Sequence, residues 1–262
     1  MTLYTKKKIL ITVKTYPLPS KKAIEASCTA GVTEDGKWIR LFPLPFRYLE
    51  YSRQFKKYQW IEARVTKAAD PRPESYKIDL DSIELIGKPL PTSANWKARK
   101  DSVLPLEARS LCYLQNIQDT TGTTLGIFKP RCINELIIEP EETPTWTEEE
   151  LSILNQQSMF DTRPIRPLEK IPFKFKYRFL CNEPNCGGHI LSITDWEIGG
   201  AYRKWRARYG ENWESYFRQK FEYDMIFNFD TAFYVGTIRA HPEVWIIVGL
   251  FYPPKEASHA KR

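Results

Sequence analysis

No apolar run in this sequence approaches the roughly 18 residues that a bilayer-spanning helix needs. The stretch Ile9 to Val13, behind the first lysines, is too short for the core of a signal peptide. A cytoplasmic location is therefore the expectation. An even set of cysteines is also lacking. Five cannot complete a disulfide framework within one chain, and their clustering speaks for thiols or metal ligands in a reducing compartment. A Walker loop, a dinucleotide glycine fingerprint, a nucleophile elbow, a kinase motif set and a zinc-deaminase pattern are all missing. No segment repeats. These absences exclude several large enzyme classes and leave the reaction unnamed.

What is present is a basic chain of 262 residues with net charge +7, 42% of it hydrophobic. That is long and apolar enough for a real core. The charge is uneven. Residues 1–67 hold 14 Lys/Arg and 5 Asp/Glu, residues 68–162 hold 9 and 16, and residues 163–262 hold 16 and 11. Two basic ends around an acidic middle predict a polyanion-binding surface, with nucleic acid, DNA before RNA, as the partner.

The patterning predicts an α+β protein in three parts. Residues 1–90 read as short strands of a small β-barrel or sandwich, with a tight hairpin turn at Asp35-Gly36. A change of parity between Ile78 and Leu85 predicts a bulge or bend near Asp81. Residues 91–165 read as a helical and acidic connecting segment. Its helix spans Leu104 to Ile117, and Thr147 to Glu150 forms a capping box that starts a short helix to about Met159. Residues 166–262 read as a basic strand–knuckle–helix–hairpin module. There Phe173 to Phe179 alternates, Thr194 to Glu197 forms a second capping box, a helix runs to Tyr209, and two strands flank His241-Pro242.

The strongest local signal is Cys181, Cys186 and His189, spaced C-x4-C-x2-H with Pro184 and Gly187-Gly188 to fold the loop. This predicts a structural zinc knuckle, with a metal-free thiol loop as the equal alternative and a catalytic metal as a lesser one. Its fourth ligand is left open among His241, Cys28, Cys112, Cys132, a carboxylate and water. Carboxylates that could act as general acid or base are Asp195 and Glu197 at a helix start and Asp70 and Glu74 in the loop Asp70 to Ser75; His241 is a further candidate base. Helix capping accounts equally for Asp195 and Glu197, and an Arg–carboxylate pair for the loop. Cations placed to meet phosphate are Arg72, the strand face Lys174, Lys176 and Arg178, and the helix face Arg203, Lys204, Arg206 and Arg208. Trp38, Trp60 and Trp96 are candidates for a base-stacking pocket. Cys28 reads as a buried strand thiol.

The segment Ser27 to Phe46, with Cys-Thr-Ala-Gly and Trp-Ile-Arg-Leu-Phe-Pro-Leu-Pro-Phe-Arg, resembles the opening of uncharacterised bacterial proteins. Asp70 to Tyr76 and Asp195-Trp196-Glu197 resemble them too. Where such proteins accompany mobile-element or phage-defence genes, the resemblance implies a role on foreign nucleic acid. The combined expectation is a DNA-binding hydrolase of the glycosylase or nuclease type. The alternatives are a non-catalytic reader of modified or single-stranded nucleic acid and a regulatory subunit for an acidic protein.

Overall fold

The computed structural model describes residues 3–156 and 165–256. The predicted end of the short helix near Met159, the boundary at Pro164, and His259 lie outside them.

The first strand, β1 (Thr5–Lys14), is fully buried from Ile9 to Val13, as its two-sided apolar run predicts. It pairs with β3 (Ile24–Thr33), which pairs with β4 (Trp38–Leu44) across the Asp35-Gly36 turn, where Gly36 takes φ +73°. β5 (Trp60–Lys67) pairs back onto β1, and β6 (Ser75–Ile78) fills the gap between β4 and β5, parallel to β4. The five strands close in the order β1-β3-β4-β6-β5-β1, with β2 (Leu18–Ser20) added to β3 and β7 (Glu84–Ile86) added to β5. Closure removes the sheet edges. Gly31 sits where β3 crosses β1, and a Cβ there would lie 2.3 Å from the Leu10 carbonyl oxygen. The parity change resolves as a 3-10 turn, Leu80–Ser82, between β6 and β7.

The predicted helix Leu104–Ile117 does not form as one element; a separate helix precedes it and only its second half is helical. α1 (Ser93–Val103) ends in a 3-10 turn at Pro105, a two-residue strand β8 (Glu107–Ala108) follows, and α2 (Leu111–Thr121) starts afresh. The Ser110 hydroxyl accepts from the Tyr113 amide and sets that start. The acidic stretch is partly strand: β9 (Leu125–Phe128) and β10 (Cys132–Pro140) precede α3 (Glu148–Leu154), whose capping box at Thr147 and Glu150 forms as predicted. Opposite-charge partners across the sheet explain why so many glutamates tolerate a strand.

The last third follows its pattern closely. β11 (Phe173–Leu180) buries Phe175, Tyr177 and Phe179 and turns Lys174, Lys176 and Arg178 outward. β12 (His189–Ser192) pairs with it. α4 (Trp196–Tyr209) ends at Gly210, α5 (Trp213–Arg218) continues through one π-turn to Phe227, and the hairpin β13 (Ala232–Thr237) and β14 (Trp245–Phe251) closes the chain. α4 is capped by Asp195 rather than Thr194, because the Thr194 hydroxyl donates to the Ile247 carbonyl instead. Among the described residues, no helix is long and apolar enough to cross a membrane.

The barrel and the C-terminal module meet along one seam. Tyr16 donates its amide to the Thr194 carbonyl at 2.8 Å, and Thr15 bridges to Asp195. Gly199 lets α4 approach, since a Cβ there would lie 2.4 Å from the Tyr16 ring.

Candidate functional site

A cavity of about 580 Å³ opens at that seam. One wall is the barrel: Ala26, Cys28 and Ala30 of β3, Arg40 and Phe42 of β4, and the loops after β1 and after β5. The other is the module, with Phe175, Ile198 and Val248. Ligand sites favour such junctions, with apolar walls and a few polar groups.

The polar end is built by two arginines. Arg40 is 2% exposed and has no carboxylate within 4 Å among the described residues. Its Nη1 and Nη2 donate to the Thr124 hydroxyl (3.2 Å) and carbonyl (2.8 Å). Burial lowers its pKa from the usual arginine value. Arg72 is clamped by Asp70, with Nε to Oδ1 at 2.9 Å and Nη2 to Oδ2 at 2.7 Å, while Nη1 donates to the Thr237 carbonyl at 2.8 Å. The clamp is the local pair foreseen for this loop, and it holds the Asp70 carboxyl down at about 2. Asp70 is thus a firmly ionised anchor, a poor base at neutral pH. Thr237 also lines the cavity, and its buried hydroxyl has no partner among the described residues. Cys28 lies beside both guanidinium groups; burial raises its thiol pKa, and the arginines oppose that rise. The strand pattern marked Cys28 as buried; it is half-buried, at the cavity wall. Only the barrel's curvature turns it toward the arginines, and no sequence signal pointed to Arg40.

Asp195 lines the same cavity and is 2% exposed. Its Oδ1 accepts from the Glu197 amide (2.7 Å), and its Oδ2 accepts from the Leu250 amide (2.8 Å) and from Lys57 Nζ (3.2 Å). Lys57 also reaches Glu197 at 3.4 Å, and the Tyr252 hydroxyl donates to the other Glu197 oxygen at 2.8 Å. Burial pushes the Asp195 carboxyl up, with Lys57 opposing. Burial also acts on Glu197, but there Lys57 and Tyr252 prevail and hold it below the usual carboxylate range. Both readings of Asp195 thus coincide in one residue: it caps α4 and it faces the cavity. Glu74 lies behind Arg40 with its Oε1 accepting from the Thr124 amide (3.0 Å) and hydroxyl (2.6 Å). His241 stands apart in an exposed turn, 3.7 Å from Glu243.

α2 brings a fourth candidate ligand to the knuckle. The donor atoms of Cys112, Cys181, Cys186 and His189 all lie within 4.8 Å of one another, with Cys112 Sγ 3.3 Å from His189 Nε2. Burial first, then the neighbouring thiols, pushes the Cys112 thiol up to about 12. Three crowded thiols cannot all ionise without a cation among them. Three soft sulfurs and one imidazole match a tetrahedral Cys3His set, so these residues fit a metal ion. Of the candidates left open by the sequence, Cys112 fills the place; His241, Cys28 and Cys132 do not join the cluster.

The cations expected to meet phosphate are largely paired. On β11, Lys174, Lys176 and Arg178 pair with Glu141 (3.2 Å), Glu139 (2.5 Å) and Glu135 (2.6 Å) of the neighbouring chain segment. On α4, Arg203 pairs with Glu169 and Arg206 with Glu211, and Arg208 lies over Tyr209. Lys204 is exposed and has no carboxylate within 4 Å among the described residues. The aromatic stripe of α4 packs inward, Tyr202 on Trp213 and Trp205 on Phe217. Trp38 and Trp96 pack against one buried cluster, which Trp60 does not join. Trp38 meets Tyr234 edge-on, Lys8 lies over Trp60, and Trp96 packs on Phe251.

No curated protein matches the chain. Residues 5–105, the barrel and α1, match the family described as "Domain of unknown function (DUF8758)". Residues 107–262 match the family described as "Domain of unknown function (DUF8757)", more than half the chain, and to that family this protein belongs.

Proposed function

We propose that the protein binds DNA and takes one nucleotide unit of a strand into the cavity between barrel and module, acting as a reader. The observation that carries this reading is where the cavity lies. In barrel-strand terms the closed order is 1-2-3-5-4, with the third and fifth strands parallel. This is the Greek-key order of OB barrels, which bind oligonucleotides and oligosaccharides on the face of strands 2 and 3 between the 1–2 and 4–5 loops. The cavity occupies that face: Cys28 on strand 2, Arg40 and Phe42 on strand 3, Tyr16 and Leu18 in the first loop, Arg72 in the second. The physical complement of the fold likeness is a buried guanidinium without a carboxylate, which an anionic ligand would neutralise, and one exposed ring, Phe42 at 43%, on which a base can stack.

In this reading the Cys112, Cys181, Cys186 and His189 cluster holds a structural zinc ion, which ties α2 to β11 and β12. The five free thiols fit a reducing, cytoplasmic setting.

Hydrolysis of the bound strand is a second reading, favoured by Asp195, a carboxylate on the cavity wall whose pKa is raised by burial. Both its oxygens are already engaged, which makes reading the simpler role.

The test is binding of metal-replete protein to labelled single- and double-stranded DNA and RNA across a salt series, each mixture also run on a denaturing gel with and without hot alkali. Affinity should fall steeply with salt. Phe42→Ala should weaken single-strand binding about tenfold, within the range for one stacked base. Cleaved strands lost in Asp195→Asn would move the second reading to the front. Absence of binding at about 50 mM salt, where phosphate contacts are strong, would remove nucleic acid and leave an acidic protein as the partner.

A further inference from the structure

We propose that a second pocket, beneath the β3–β4 hairpin, binds a nucleotide whose base carries an exocyclic amino group. The pocket has a volume of about 350 Å³, and Lys7, Lys37, Trp38, Glu74, Tyr76 and Thr123 contribute to its walls. It shares only Leu125 with the larger cavity, and the hydrogen-bonded chain Arg40–Thr124–Glu74 runs from the wall of one to the wall of the other.

Glu74 carries the inference. It is 8% exposed, and its Oε1 is fully used by Thr124, while its Oε2 is buried with no donor among the described residues. A buried carboxylate oxygen without a donor is costly, and a ligand N–H meets the need. Of the charged lining residues Lys7, Lys37, Asp35 and Glu74, Lys7 is left as an uncompensated cation, which disfavours a cationic ligand. Lys37 is paired with Asp35 at 2.8 Å. Lys7 has no carboxylate within 4 Å among the described residues, and its Nζ stands 5.9 Å from the Tyr76 ring centroid. The site therefore asks for a neutral donor at its inner end, a flat body beside Trp38 and Tyr76, and an anion at Lys7. An aminated base with its phosphate has all three. Carboxylates accept from the cytosine amino group in the same way when proteins read bases.

The full-length protein would be titrated calorimetrically with CMP, AMP, GMP and UMP, and with short oligocytidylate and oligouridylate. The three aminated nucleotides should bind at least about fivefold tighter than UMP, the low end for one base-edge contact. A free nucleotide as ligand predicts that CMP and oligocytidylate bind alike per site; a strand as ligand predicts that the oligomer binds tighter. Glu74→Gln keeps an acceptor for Thr124 and replaces the free oxygen by a donor, so the preference should turn toward UMP. Lys7→Ala should weaken all four nucleotides and keep the preference, and Lys97→Ala, exposed on α1 and outside both pockets, should change neither. Binding of none of the four, or an unchanged preference in folded Glu74→Gln, would overturn the proposal. If Glu74→Gln does not fold, Lys7→Ala decides: wild-type affinity for CMP in that variant would overturn it equally. Loss of strand binding in Phe42→Ala with CMP binding intact would separate this site from the larger one.

Discussion

Arg40 and Glu74 are buried, oppositely charged and close, yet their side chains are joined through Thr124 and not by a direct ion pair. The threonine hydroxyl accepts from Arg40 and donates to Glu74, while its amide and carbonyl serve the same two residues. Thr124 thus links Arg40, on the wall of the larger cavity, to Glu74, on the wall of the smaller pocket, and its neighbour Leu125 lines both. Thr124→Val removes the hydroxyl and leaves both neighbours short of a partner. It should cost ~1–3 kcal/mol, the desolvation penalty of unsatisfied buried groups, measured by urea unfolding.

Lys57 crosses the seam from the barrel to Asp195 and Glu197. Lys57→Met strands a buried carboxylate and should destabilise by ~3–5 kcal/mol. Adding Asp195→Asn should recover part of that loss, since it removes the unpaired charge. A double-mutant cycle by denaturant unfolding measures the coupling.

The Cys3His cluster predicts one zinc per chain by elemental analysis. Cys112→Ser should abolish tight binding, as should Cys181→Ser, although residue 112 lies far from the knuckle in sequence. A strong chelator should lower the melting temperature of the wild type and change the Cys112→Ser variant little.

Acid stability should carry the signature of Asp70. Its folded pKa of about 2 lies below the ordinary value of 3.8. Its contribution is therefore present above about pH 4 and lost as the pH falls toward 2. Asp70→Asn should destabilise at pH 7 and narrow the gap to wild type at pH 2–3, read from unfolding midpoints across that range.

The ion pairs on β10 and β11 mask three cations. Replacing Glu135, Glu139 and Glu141 by Gln should free Lys174, Lys176 and Arg178. If that face borders a bound strand, affinity should rise and the salt slope of binding should steepen by up to about 3, one phosphate per cation. Anisotropy titrations across a salt series would show it. An unchanged slope would place the strand elsewhere.

The sequence by itself determined the local elements. Alternation set β11 and its two faces, the two-sided apolar run set β1, Asp35-Gly36 set the hairpin, and Thr147 with Glu150 set a helix start, because each depends on neighbours a few residues away. It also marked three of the four residues of the Cys3His cluster, which share one loop. Tertiary structure alone decided what those elements meet. Cys112 joins the knuckle from 69 residues before Cys181. The acidic stretch became a strand because β11 supplied cations opposite its glutamates. Arg40, an ordinary strand residue in sequence, became a buried cation on a cavity wall when the barrel closed and the module covered it. Local pattern records which face of an element is apolar. Which charges and thiols are left together inside depends on long-range pairing, and no short window of sequence contains that.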